Sequence, residues 1–269
     1  MAKIKINLNE LEIVIDNNSY AFDVKEKYKK DADIIILNGF PIEENIKLKD
    51  NDKVTIIKRG EIPKKEELEH LMMARHTPGV FNILKNSKVA IAGCGGLGSN
   101  IAVSLARVGV GNIILCDYDI VEPSNLNRQQ YFIEDIGKFK VDALKDILLK
   151  VNPFINIKTY KVFLDENNIE NLLKDSDIIL EAFDKAKYKA QLSNIVLTKM
   201  KDKYLITGSG IAGYFDSNLI KTKKVNERFF ICGDFINEAK IGSGLMSPRV
   251  GIVANHMANE AVRILCKNL

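Results

Sequence analysis

None of the four cysteines, Cys94, Cys116, Cys232 and Cys266, stands in a C-x-x-C pair. A zinc ribbon or a redox dithiol needs that spacing, so the sequence argues against a structural zinc and against dithiol exchange. His70, His76 and His256 have neither metal-like nor triad-like spacing. No apolar run is long enough to cross a bilayer and no charged-then-apolar leader opens the chain, which predicts a cytoplasmic protein with no membrane partner. The 39 basic residues exceed the 35 acidic ones by a net +4, and they are interspersed. A nucleic-acid binder concentrates its cations on one footprint, so no nucleic acid is expected as a partner. There is no internal repeat and no low-complexity tract.

What remains is a chain of 269 residues, 46% hydrophobic and 28% charged, able to bury a large core or a large and a small one. Residues 1–60 read as the small one. "KIKINLNELEIVI" alternates polar and apolar residues around Asn9-Glu10, the pattern of a hairpin with one buried face. "SYAFDVKEKYKK" reads as a short helix, "DADIIILNGFPIE" as a strand entering an Asn38-Gly39 turn, and "NDKVTIIKR" as a last strand. This order resembles the β-grasp, ubiquitin-like sulfur carriers of the ThiS type. Such a carrier ends in a free Gly-Gly whose carboxylate is activated, whereas here Arg59-Gly60-Glu61-Ile62-Pro63 runs on into more chain. The domain is therefore not expected to be the acyl donor.

Residues 61–87 follow as a charged linker and a helix carrying Arg75, interrupted at Pro78 and Gly79. From Lys88 to Leu269 short β-rich runs ("KVAIAG", "NIILCD", "INIKTYKVF", "DIILEAF", "YLITGS") alternate with helix-like segments. That alternation predicts an α/β fold: a Rossmann-like, mainly parallel sheet with helices on both faces.

In such a sheet the first strand-to-helix turn cradles phosphate, because glycine alone lets backbone amides approach an anion closely and the helix N-terminus adds favourable partial charge. "KVAIAGCGGLGSN" supplies Gly93, Gly95, Gly96 and Gly98, matching G-x-G-x-x-G. A turn needed only for tight packing is the bland alternative. An acid that could serve the ribose, Asp119, follows on the second strand. Beyond it "SNLNRQ" brings Asn125 and Arg128, and "IGKFK" puts Lys140 at the start of the next helix. Two cations beside a glycine cradle suit a triphosphate better than the pyrophosphate of NAD.

The motifs "GCGGLGS", "DYDIVEPSNLNRQ", "IGKFK", "EAFD" and "GLMSPRVGIVANHMANEAVRIL" occur in the order and approximate spacing of the ThiF/MoeB adenylyltransferases, the superfamily of the ubiquitin-activating enzymes. Over roughly residues 70–269 the chain resembles that family. The resemblance implies ATP and Mg²⁺ as cofactors, a ubiquitin-like sulfur carrier with a C-terminal Gly-Gly as partner, and a homodimer. It implies roles for Asp119 at the ribose, for Asn125, Arg128 and Lys140 at the triphosphate, and for Asp184 in placing Mg²⁺. Arg75 would reach an ATP site across the dimer. With the ThiS-like domain in front, the implied activity is adenylylation of a carrier, in thiamine thiazole biosynthesis. Capping of the following helix is the alternative role for Asp184, which is followed by Lys185 where relatives often have Asn. Cys232 in "FFICGDF" reads as a core residue more readily than as a nucleophile. The competing functions are an NAD-dependent oxidoreductase and a non-catalytic carrier-binding module.

Overall fold

The computed structural model describes residues 2–76 and 78–267, with the backbone alone for residues 74–76 and 78. The chain divides into two compact units, Met1–Pro78 and Gly79–Leu269.

In the first unit β1 (Lys3–Leu8) and β2 (Leu11–Asp16) form an antiparallel hairpin whose two-residue turn holds Asn9 and Glu10 at φ 46° and 66°. That is the left-handed turn whose twist matches the strands. Helix α1 (Ala21–Tyr28) buries Ala21 and Val24. Strand β3 (Ile34–Leu37) turns at Asn38 and Gly39, φ 52° and 91°, into β4 (Phe40–Pro41), and β5 (Lys53–Ile57) completes a five-stranded sheet in the order β2-β1-β5-β3-β4. Strands β1 and β5 run parallel at its centre. Inward residues Ile6, Leu8, Ile35, Val54 and Ile56 close one core with the helix. The sequence pattern anticipated every element but the two-residue β4. Helix α2 (Lys65–His76) follows, and Asn9 donates from its side chain to Glu67 at 2.7 Å.

Helix α3 (Pro78–Asn86) leads into the second unit. Five strands alternating with four helices follow: β6 (Lys88–Ala92), α4 (Gly96–Arg107), β7 (Asn112–Cys116), α5 (Lys140–Val151), β8 (Asn156–Tyr160), α6 (Ile169–Leu173), β9 (Ile178–Glu181), α7 (Ala186–Lys199) and β10 (Tyr204–Gly208). The chain then adds β11 (Lys221–Asn226), β12 (Phe229–Gly233) and α8 (Ser247–Leu265). The seven-stranded sheet runs β11-β12-β10-β9-β6-β7-β8, parallel throughout except for β11 at the edge. Val89 and Ile91 face one core, Ala90 and Ala92 the other. Helices α4, α5 and α8 cover the first face with Ile101, Leu144 and Val253, and α6 and α7 cover the second with Leu173 and Leu192. Burial on both faces explains why these strands read as continuous apolar runs. The strand order reverses between β6 and β9, and a crevice opens at the carboxyl ends there.

Strands β11 and β12 lie beyond the β-rich runs read from the sequence. Lys221, Lys223 and Lys224 line β11 at an exposed edge, where charge blocks pairing with a further strand and hides the β pattern. Among the described residues no helix is long and apolar enough to cross a membrane.

Candidate functional site

The crevice is a cavity of about 280 Å³ lined by Gly93, Gly95, Gly96, Asp117, Asp119, Asn125, Arg128, Lys140 and Asp184, with Tyr118, Phe163 and Tyr188 at one side. It thus gathers every residue singled out from the sequence except Gly98, which lies behind the cradle, and Arg75, whose side chain falls outside the described residues.

The cradle is fixed by contacts that only glycine permits. Gly93 has φ +96°, and a Cβ there would stand 2.9 Å from the Ala182 carbonyl oxygen. A Cβ on Gly98 would lie 1.8 Å from the Gly93 carbonyl oxygen, so helix α4 can pack this closely only without a side chain at that position. Between them the two peptides flanking the Cys94 Cα are both held: the Cys94 N–H donates to Asp117 Oδ2 at 2.6 Å and the Cys94 carbonyl accepts from the Tyr131 hydroxyl at 2.7 Å. Gly95 caps α4 and Gly96 opens it, so the first-turn amides of a 12-residue helix face the cavity.

Asp117 is the acid that sequence reasoning passed over. It follows the last residue of β7 directly and also accepts the Asp119 N–H at 2.8 Å. Burial pushes its carboxyl up, against the backbone hydrogen bonds that pull it down. The available signal was its place at the strand end, one step closer to the cradle than Asp119. Asp119 and Lys140, read from the sequence as contacts to different parts of a nucleotide, are joined: Lys140 Nζ donates to Asp119 Oδ2 at 2.8 Å.

The segment after β7 turns through a 3-10 turn, Pro123–Asn125, closed by Asn125 Oδ1 accepting the Glu122 N–H at 3.1 Å. Asn125 therefore braces its own turn while its amide nitrogen donates to Ser124 Oγ at 3.4 Å. Arg128 lays its stem on Gly96, and Nη1 donates to the Ser124 carbonyl at 3.1 Å and to Asn127 Oδ1 at 2.7 Å. Its Nε and the Gln129 Oε1 are buried with no partner among the described residues. Unsatisfied polar atoms at a cavity wall mark where a polar ligand is accommodated.

Asp184 lies in the loop between β9 and α7. Helix α7 begins at Ala186 with Lys185 as its cap residue and no side-chain cap bond, so the capping role does not apply. Among the described residues its carboxylate has no hydrogen-bond or ion-pair partner. A free carboxylate beside a phosphate cradle fits Mg²⁺, a hard cation held by one or two carboxylates together with substrate phosphates. The opposite wall is aromatic: Phe163 meets Tyr118 and Tyr188 edge to face, at centroid distances of 5.3 and 4.9 Å, beside Val162 and Leu164. A flat heterocycle fits there.

The thiols are packing groups. Cys94, Cys116 and Cys232 are fully buried; burial pushes the Cys94 thiol far up, Cys116 up to about 12 and Cys232 up to about 11. Cys266 is partly buried and stands at the C-cap of α8, just past its last residue.

The family model described as the ThiF family matches residues 69–268, and one described as ThiS-like ubiquitin matches residues 4–60. The adenylyltransferase and sulfurtransferase UBA4 of Scheffersomyces stipitis is 33% identical over 192 residues, covering 68% of this chain and 42% of that protein. The molybdopterin-synthase adenylyltransferase of Escherichia coli is 29% identical over 187 residues, covering 68% and 74%. The chain thus spans less than half of the first relative's length and about three quarters of the second's. Among solved structures, the Escherichia coli tRNA N6-threonylcarbamoyladenosine dehydratase in complex with ATP superposes with a TM-score of 0.66 at 19% identity, covering 73% and 92%, a likeness of fold. Escherichia coli MccB with ATP follows at a TM-score of 0.53 and 26% identity, covering 70% and 59%.

Proposed function

The chain belongs to the ThiF family, and from that premise we propose that it is an adenylyltransferase that uses ATP to activate the C-terminal Gly-Gly carboxylate of a ubiquitin-like sulfur carrier. The observation that carries the reading is one cavity holding the glycine cradle, Arg128, Lys140 and the unpartnered Asp184 together, with an aromatic wall opposite. It offers an anionic chain two cations and a row of amides, and a base a flat apolar surface.

A carboxylate is a poor electrophile. Attack of its oxygen on the α-phosphorus of ATP forms an acyl-adenylate and releases pyrophosphate, and negative charge grows on the phosphates as the bond breaks. The α4 amides orient the phosphate chain, while the Arg128 guanidinium and the Lys140 ammonium meet the growing charge. Asp119 keeps Lys140 aimed. Asp117 and Asp119 border the space for the ribose, and Tyr118, Phe163 and Tyr188 that for the adenine. Asp184 would hold Mg²⁺, which supplies charge neutralisation on the phosphates. No protein nucleophile is required.

Residues 1–60 act as an accessory unit for carrier docking, with Arg59-Gly60 continuing into chain where a substrate would end. This ThiS-like unit favours a ThiS-type carrier, as in thiazole formation, over a molybdopterin-type one. Arg75 acts across a homodimer, which sedimentation at micromolar concentration would detect.

The test is ATP–pyrophosphate exchange with a panel of diglycine-tailed carriers. Exchange is expected with a ThiS-type carrier and none without carrier, and Arg128→Ala and Asp184→Ala are each expected to abolish it in a folded protein. Tight NAD binding without ATP binding would overturn the reading. Exchange with the molybdopterin-type carrier alone would keep the reaction and move the pathway.

A further inference from the structure

Glu181 ends β9 with no exposed surface, between neighbouring strands that end in Ala92 and Gly208, neither of them charged. An ionisable side chain there is costly, and a packed apolar one would fill the place at no electrostatic cost. Its carboxylate is nevertheless engaged throughout. Oε1 accepts the Phe183 N–H at 2.6 Å, and Lys189 Nζ, from the first turns of α7, donates to both oxygens at 3.0 Å. The same ammonium donates to the Gly208 carbonyl at the end of β10, at 3.1 Å. Burial pushes the Glu181 carboxyl up, and Lys189 pulls against it. One ion pair thus gathers the ends of two central strands and the start of a helix.

What these contacts hold is the loop that carries Asp184. On one side the loop lies against the cradle, where the Ala182 carbonyl leaves no room for a Cβ on Gly93. On the other, Glu181 fixes the amide of Phe183, the residue before Asp184. With no side-chain partner of its own among the described residues, the Asp184 carboxylate takes its direction from this backbone.

We propose that Glu181 and Lys189 are positioning residues that act through Asp184, setting where its carboxylate meets the metal of a bound nucleotide; the inference rests on reading the cavity as a Mg·ATP site. The test is calorimetric titration of ATP, once with Mg²⁺ and once with excess EDTA, into the full chain and its variants. Glu181→Leu with Lys189→Met removes both charges, a replacement that is often neutral for stability where removing one partner is not. It is expected to weaken binding about tenfold in Mg²⁺ and to leave binding in EDTA unchanged. Asp184→Asn should show the same signature, and adding it to the double variant should cost nothing more. Lys189→Arg should restore binding in Mg²⁺ to near the parent. Should the double variant melt below the assay temperature, Glu181→Gln carries the same comparison.

Parent affinity in a folded double variant, equal losses with and without Mg²⁺, or additive losses with Asp184→Asn would each overturn this inference alone. A parent chain that binds no ATP in either condition would overturn it together with the function proposed above.

Discussion

Lys140 and Asp119 form one unit: the ammonium is almost fully buried and donates to the half-exposed carboxylate at 2.8 Å, while the Lys140 N–H donates to the Asp119 carbonyl at 2.9 Å. A lysine pinned at both ends points where the fold aims it. Lys140→Ala should therefore lower carrier-dependent pyrophosphate exchange about a hundredfold, the cost of losing one preorganised charge contact. Asp119→Ala should cost less and act through the same ammonium, so the two losses combined should fall well short of their sum. A double-mutant cycle on exchange rates checks it.

Gly98→Ala is expected to damage the fold and the site at once. The added carbon would overlap the Gly93 carbonyl, and backbone must move to admit it. The loss should reach about 4 kcal/mol, in the range reserved for core disruption. For a unit of this size that lowers Tm by roughly 10 °C. Thermal unfolding followed by circular dichroism measures it, and ATP binding should be lost even below the transition.

The Asp234–Arg249 pair gives a pH signature. Burial pushes the Asp234 carboxyl up, but the Asn237 side chain, the Asn237 and Ile236 amides and Arg249 outweigh it and hold it down at about 2, from an ordinary 3.8. A carboxylate depressed in the folded state stabilises above its unfolded pKa, and that contribution is lost as pH falls through the folded one. Asp234→Asn should thus melt well below the parent at pH 7. The gap should begin to close below about pH 4 and disappear only below about pH 2. Urea titrations across that range give the profile.

Thiol chemistry should be silent in the native state. With Cys232 at about 11 and Cys116 at about 12, the thiolate fraction at pH 8 is at most about a thousandth. Native protein should react slowly with a disulfide reagent, with Cys266 first, and release all four thiols in denaturant. Fast native labelling at Cys232 would contradict the packing role.

The sheet and its helices were legible because burial on two faces writes uninterrupted apolar runs, as in "VAIA" and "IIL", and the glycine turn writes itself through steric need. The pairings were not. Lys140 with Asp119 and Lys189 with Glu181 join residues on different strands and helices, and nothing in linear spacing marks which cation meets which carboxylate. Asp117 was hidden by Asp119 two residues on, since both acids follow β7 and only the folded loop shows that Asp117 turns back to the Cys94 and Asp119 amides. The aromatic wall was hidden for the same reason: Tyr118, Phe163 and Tyr188 come from three separate loops and helices.

Arg249 also donates to the Phe215 and Asp216 carbonyls, while Asp234 receives the Ile236 and Asn237 amides. The stretch between Asp234 and Arg249 is thereby closed by a buried clasp, with Ile236 and Ile241 exposed on it. Lengthening a loop whose ends are already fastened adds only about 0.6 kcal/mol per doubling. Descendants of this sequence are thus free to lengthen, shorten or rewrite residues 238–243 while the clasp, the cavity-lining Leu245 and the sheet beneath stay as they are, and divergence in this lineage should collect there first.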